Sequence, residues 1–217
     1  MTDAIVQDRP FLVARMWLLL LLDAAERSGL APLSVERLHR LVYLANALAP
    51  VYDLLVPDGY ILKYRRGPFF PTVHWDIGRL AAQGLVNVQN SRAVKDDLGY
   101  WISADYNLSR SGMNVVDAAM EVETVGPKGL YLREISLAFA ALEGATRDAT
   151  ALVDINYDPA VEETAVNFGD DGNNLSPIAA ESLVEEGPLT IRRLRLHRYF
   201  QYLEKAWNDR QVRQYAS

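Results

Sequence analysis

Two groups of side chains in this sequence have the types and spacing to act on a partner molecule, and neither is a group that makes or breaks bonds. Lys63, Arg65 and Arg66 form a basic cluster, followed by His74 and Arg79 and then by Arg92 and Lys95. Cations spread in this way contact phosphate oxygens and hold a duplex in place without reading its sequence. The polar side chains after Pro71 are His74, Asp76, Arg79 and Gln83, and Asp76 would repel a phosphate backbone. Base readout needs Arg, Asn or Gln aimed at base edges, so nonspecific contact with double-stranded DNA, or none, is expected rather than operator recognition. The second group is Arg192, Arg193, Arg195, Arg198 and Tyr199 near the C-terminus. Arginine and aromatic side chains together are the composition enriched at protein interface hot spots, and these five are candidate partner-docking residues. Arg192, Arg195 and Tyr199 fall near one helical face, while Leu189, Leu196, Phe200, Leu203 and Trp207 form an apolar stripe of the kind that is more often core than interface.

The pattern needed for catalysis or cofactor binding is missing. There is no cysteine, so disulfides and thiolate metal sites are excluded, and the three histidines (His39, His74, His197) are far apart without ligand spacing. No Gly-rich phosphate loop, HExxH or GxSxG motif occurs, and GDDGNN lacks the lysine of a P-loop. Asp170 and Asp171 could hold a hard cation, but adjacent acids in a Gly/Asn turn read as a solvated loop. No catalytic, cofactor-binding or metal-ligating residue is assigned, and a non-enzymatic protein is expected.

The net charge of −6 and pI near 5.1 oppose a free-standing DNA binder, which carries a basic surplus to displace phosphate counterions. With 217 residues, half of them hydrophobic, the chain can bury a full core as one domain with an appendage or as two small domains. The apolar run Trp17 to Leu22 is bracketed by Arg15 and Asp23 and falls short of the about 20 residues that a bilayer core requires. Asp3, Asp8 and Arg9 before it are not the positive start of a signal peptide. A covered helix and a cytoplasmic protein without membrane contact are expected.

The elements that must position these residues follow from periodicity and caps. Pro10 to Ser28 reads as a first helix ending near Gly29. Ser34 opens a second, with Leu38, Leu41, Val42, Ala45 and Leu48 as its apolar stripe, which Pro50 ends. Pro57-Asp58-Gly59 marks a turn and GYILKYR a strand. The third helix, from Pro71, carries Val73, Ile77, Leu80, Ala81 and Leu85 on one face and stops at Gly84. A short apolar run (Leu85, Val86, Val88), a polar tip from Asn90 to Gly99 and a returning strand from Tyr100 to Leu108 come next, before a helix capped by Ser109. Helix, strand, tip, strand, helix is the order used by winged-helix domains. A minimal helix-turn-helix joins its helices by about 3–4 residues, and the much longer interval from Ala49 to Phe70 marks an extended insertion. The expected fold is α+β and mainly helical, with a winged-helix domain over residues 1–126 and an α-rich extension over 127–217.

In that extension GPKG, at Gly126 to Gly129, acts as punctuation before a helix, LYLREISLAFAALEG. From Asp148 to Glu186 there are ten acidic residues and no Lys or Arg, in a segment of turn and capping sequences that should be loop-rich. The last helix, Pro188 to about Asn208, reverses the sign with its arginines and Lys205. Belt and helix either pair with each other or leave the helix free to dock.

RLHRLVYLANAL followed by YRRGPFFPTVHWDIGRL, with Leu38, Leu41, Tyr43, Gly67, Pro68 and Pro71 as landmarks, resembles the core of the Panacea (SocA-like) domain, in which a KLQKLLYF-type helix precedes a GPV-type turn and helix. The chain is still more similar to the middle components of ABC-three-component systems, which overlap the Lamassu antiphage defence family. DINYDP (Asp154 to Pro159) and NNLSPIAA (Asn173 to Ala180) fit that second resemblance. It implies a non-enzymatic accessory subunit that associates with an SMC- or Rad50-like ABC ATPase and links it to an effector, commonly a nuclease, in a complex guarding against phage or plasmids. It transfers no functional residue, although the two arginines before Gly67 are a basic spot that could touch DNA held by the complex. A homodimer binding its own promoter as a transcriptional regulator, and a Panacea-type antitoxin or proteolysis adaptor, are the competing expectations.

Overall fold

Helix α1 (Pro10–Arg27) is the hub of the molecule because it is apolar on every side over Trp17 to Leu22, and each of those six side chains is at most 3% exposed. A helix hydrophobic all round must be covered all round, and α1 is packed by the helices over 71–82, 110–120 and 126–140 and by the strand over 99–108. The structure, a computed structural model, describes residues 10–55, 58–97, 99–169, 173–184 and 191–215. Asp3, Asp8, Arg9, Pro57, Asp170, Asp171, Glu185, Glu186, Pro188 and Leu189 lie outside the described residues. Among the described residues no helix is long and apolar enough to cross a membrane.

After α1 a two-residue strand, β1 (Leu33–Ser34), leads into α2 (Val35–Ala47). Ser34 caps α2, its hydroxyl accepting from the Arg37 N–H at 3.3 Å. A 3-10 turn over Ala49–Tyr52 contains Pro50, which has no N–H with which to continue the helix. Between α2 and the next helix stands a hairpin, β2 (Tyr60–Tyr64) and β3 (Gly67–Phe69). Helix α3 (Pro71–Ala82) starts on a proline, whose fixed φ suits the first helical position. It stops at Gly84, whose φ of 73° only glycine adopts without strain.

Strands β4 (Val86–Asp96) and β5 (Gly99–Leu108) form a hairpin, and β1 adds on the far side of β5 to give an antiparallel sheet of order β1-β5-β4. The polar stretch expected as a tip is strand. Pairing runs from Val86 opposite Leu108 to Asp96 opposite Gly99, interrupted only by a bulge between Gln89 and Arg92. Solvent-facing strand residues need no apolar alternation, so periodicity does not detect them.

Helix α4 (Arg110–Met120) begins at Ser109, whose hydroxyl accepts from the Gly112 N–H at 3.0 Å. A Cβ at Gly112 would lie 2.1 Å from the Leu85 carbonyl oxygen, so Gly112→Ala forces the backbone apart. A loss of about 1–3 kcal/mol is expected, the usual cost of overpacking, readable as a lower midpoint in thermal melting. An unchanged midpoint would mean that the crossing has slack.

The second half corrects one expectation and refines another. GPKG is the first turn of α5 (Gly126–Ala140) and not a break before it, since proline is tolerated in a first helical turn. The acidic segment is loop-rich as expected, with 154–164 free of helix and strand, but it also carries short elements. It includes the end of α6 (Gly144–Ala149), a 3-10 turn (Thr150–Val153), strand β6 (Ala165–Asn167) and α7 (Leu175–Ser182). Strand β6 pairs with β2, with Tyr60 opposite Asn167 and Leu62 opposite Ala165, completing a second antiparallel sheet of order β3-β2-β6. Helix α8 (Ile191–Tyr215) closes the chain against α5, α6 and α7. The fold is mixed α+β and mainly helical. Its buried cluster runs from Trp17 to Leu203 without a break at the expected boundary, which falls in the first turn of α5.

Candidate docking groove

The β2–β3 and β4–β5 hairpins are tied together at their ends. Arg66, in the turn of the first, holds Asp96 at the end of β4 through Nη2 to Oδ1 at 2.5 Å and Nε to Oδ2 at 3.2 Å. Its guanidinium lies 4.9 Å from the Trp101 ring centre and 5.9 Å from that of Tyr64, and the Trp101 indole N–H donates to the same aspartate at 3.1 Å. Arg40 of α2 steadies the turn by donating to the Arg66 carbonyl at 3.2 Å.

Beneath this clamp is a groove of about 430 Å³ lined chiefly by His39, Tyr64, Phe69, His74, Tyr100 and Ile102. Alternation puts these rings at the surface. Ala104, Tyr106 and Leu108 on one side of β5 cover the core, and the same side runs on beyond the helices as Ile102 and Tyr100, 58% and 78% exposed. Tyr60, Leu62 and Tyr64 form a matching exposed row on β2. At the groove floor the His39 ring is 4.9 Å from that of Phe69, and its Nδ1 accepts from the Phe70 N–H at 3.2 Å. Burial, aided by the neighbouring His74, pushes its pKa down to about 3.

The basic cluster divides. Lys63 donates to the carbonyls of Tyr157 and Asp158 at 2.9 and 2.7 Å and lies over the Tyr157 ring. Arg65 faces Glu163 at 3.4 Å, and Arg79 faces Asp76, which Arg15 also holds at 2.9 Å. His74 is exposed beside Phe69. Arg92 and Lys95 are exposed on β4, on opposite faces of the hairpin, because they stand opposite Ser103 and Tyr100. The Lys95 ammonium lies 5.2 Å from the Tyr100 ring centre. Of the expected phosphate contacts, Arg66, His74 and Lys95 border the groove, while Lys63 and Arg65 turn toward the acidic segment.

The C-terminal candidates are mostly paired within the chain. Arg192 meets Asp53, Arg193 meets Glu134 at 2.8 Å, Arg195 meets Glu181 at 3.4 Å, and Arg198 donates to Gln201 at 3.2 Å. Tyr199, placed on the docking face by helical spacing, is instead fully buried, because its hydroxyl donates to Asp154 at 2.7 Å. Leu196, Phe200 and Leu203 are core, with Trp207 packed against it. Belt and helix meet at Asp158 with Arg210 and at Glu181 with Arg195, while Asp148 turns to Arg37 of α2 at 2.8 Å.

Asp154 is the residue that composition and spacing passed over. Its side chain is fully buried and accepts from Tyr43, from Tyr199, from Ser176 at 2.9 and 3.1 Å, and from the Asn156 N–H at 2.9 Å. Asn156 in turn accepts from the Leu175 N–H at 2.8 Å and donates to Asn174 and Ser176, and Asn174 donates to the Ala47 carbonyl at 2.7 Å. DINYDP and NNLSP therefore close one polar knot that fastens α7 and α8 to the end of α2. Burial, and then the charge of Asp154, raises the Tyr43 and Tyr199 hydroxyl pKa values well above the ordinary tyrosine range. The centre of the knot, Asp154 with Tyr43, Tyr199 and Ser176, is fully buried, while Asn156 and Asn174 at its margin are half-buried. Compared with known proteins, the chain matches no family model, no curated protein and no solved structure.

Proposed function

We propose that this chain is a non-catalytic accessory subunit whose N-terminal half is a winged helix adapted to dock on protein. In this reading it bridges an SMC- or Rad50-like ABC ATPase and an effector in a bacterial antiphage or antiplasmid complex. The winged-helix assignment draws on the order α1-β1-α2-α3-β4-β5 with strands arranged β1-β5-β4, the β2–β3 hairpin being the insertion between α2 and α3. The observation that carries the docking reading is the division of labour on that face. Most of its cations are bound to the protein's own acids and carbonyls, while Tyr60, Tyr64, Tyr100 and Ile102 stand out exposed. Exposed aromatic clusters beside arginine suit a protein interface better than a phosphate backbone. The ATPase as partner rests on the resemblance over roughly Ser34 to Ala180.

The test is co-expression with the products of the neighbouring genes. The ATPase should co-purify with the tagged chain, and recovery of nothing would end the adaptor reading. DNA binding by the isolated protein supplies the second arm. With Arg92 and Lys95 as the lysine and arginine side chains of this face that no acid or carbonyl holds among the described residues, the slope of log affinity against log salt should be about −2, at the about 0.9 per phosphate expected for duplex DNA. A slope near −5, with preference for its own promoter over a scrambled duplex, would favour a transcriptional regulator. Neutralisation of a toxic neighbour would favour an antitoxin.

A further inference from the structure

Strand β5 has one edge that is only partly used. Its pairing with β4 runs its full length, but β1 covers it only at Asp105 and Tyr106, and no other strand among the described residues adds to that side. Which residues point there can be read from the hydrogen bonds at its end. The Leu108 N–H donates away from β4, to Glu26 at 2.9 Å, while the next N–H, of Ser109, donates to the Leu85 carbonyl at the start of β4. Successive residues of a strand aim their main-chain groups to opposite sides. The bulge lies in β4 and leaves β5 regular, so Tyr100 and Ile102 present their N–H and C=O groups to the open edge. The aromatic groove runs along this edge, from Val35 and Glu36 at one end to Tyr100 at the other.

We infer that this edge and groove form a slot for an extended segment of a partner protein, which adds to β5 as a strand and places apolar side chains at every second position between the Tyr64/Phe69 and Tyr100/Ile102 walls. An unpaired strand edge recognises extended backbone, and the pockets beside it select alternate side chains. Charge sets a polarity. Lys95 sits at the hairpin-tip end and Glu36 at the α2 end, so the segment carries an acidic residue near Lys95. A second copy of this chain fits poorly, because its own β5 edge is walled by its own β2–β3 hairpin through the Arg66–Asp96 clamp, and two walled edges cannot approach. The slot rests on the protein-docking reading but not on the identity of the ATPase.

The experiment selects binders of the full-length chain from a displayed library of random nonapeptides, with Ile102→Glu as the counter-target. Ile102 is exposed, so that variant keeps its fold, as an unchanged melting curve would verify. Enriched peptides should carry apolar residues at alternate positions. Methylating the amide nitrogens that face β5 in the best synthetic peptide should weaken binding at least tenfold, while methylating the intervening ones should not. Lys95→Glu should reverse the preference for an acidic flank. Failure to enrich over Ile102→Glu, apolar residues at helical spacing, or indifference to methylation at every position would each overturn the slot. So would a dimer of the chain that Ile102→Glu dissolves, which would assign the edge to a second copy. Alternating peptides obtained from a chain that recovers no ATPase would leave the slot standing and remove the adaptor role.

Discussion

Replacing Asp154 with alanine is expected to lower the melting temperature by roughly 6–20 °C, from a loss of about 3–5 kcal/mol for breaking a buried charged network and about 2–4 °C per kcal/mol in a chain of this size. The carboxylate is fully buried and is the acceptor for two tyrosine hydroxyls, one serine hydroxyl and a main-chain N–H. Alanine leaves those donors without an acceptor in a site that water does not reach, and an unpaired buried donor costs its full desolvation. The loss is shared by α2, α7 and α8, which meet at this point. Asp154→Asn should fall between, since one of its two groups can still accept while the other donates into a shell of donors. Asp158→Ala is the control four residues away. Its carboxylate makes an exposed ion pair with Arg210, and its removal should cost no more than about 1 kcal/mol. A melting temperature for Asp154→Ala within the range of the Asp158 control would mean that the knot contributes nothing net.

The helices were legible because their signals are local. Ser34 and Ser109 cap where their positions suggest, Gly84 stops α3, and the apolar stripe of α2 is buried as spaced. What was not legible depends on residues far apart in sequence. Strand β6 lies in an acidic stretch without strand periodicity and is defined by its pairing with β2, about a hundred residues earlier. Tyr199 sits among arginines on α8 and looks like an interface residue until Asp154, 45 positions away, is brought beneath it. The basic cluster changes meaning in the same way. Lys63 finds its acceptors 94 and 95 residues on, and Arg66 finds Asp96 only because the β4–β5 hairpin extends beyond the core to meet it. Composition reports how many cations a chain has, and tertiary pairing decides how many remain available to a partner. The groove follows the same logic, since its two walls come from separate hairpins and neither is apolar enough alone to mark a site.

The second large effect is a pH dependence of stability carried by His39, whose ring is 3% exposed. Burial, with a smaller contribution from His74, pushes its folded-state pKa down to about 3, against about 6.5 in an unfolded chain. Its Nδ1 is already committed as the acceptor of the Phe70 N–H, so protonation there would break that bond as well as charge a buried ring. Above pH 6.5 both states hold the ring neutral and its contribution is fully present. Below pH 6.5 the unfolded chain takes up a proton that the folded one refuses, and stability falls by about 1.4 kcal/mol per pH unit until the folded state titrates near pH 3. Over that window the loss approaches about 5 kcal/mol. His39→Asn isolates it, because Asn Oδ1 stands near the place of Nδ1 and can accept from Phe70 without titrating. The variant should start less stable at pH 7, from the smaller side chain, and then lose less on acidification, so that the denaturation free energies of the two proteins converge as pH falls toward 4. Carboxylates common to both chains cancel in the difference. Parallel curves from pH 7 to pH 4 would show that the folded protein protonates His39 as readily as the unfolded one, which requires water at the ring and therefore a groove floor that opens in solution.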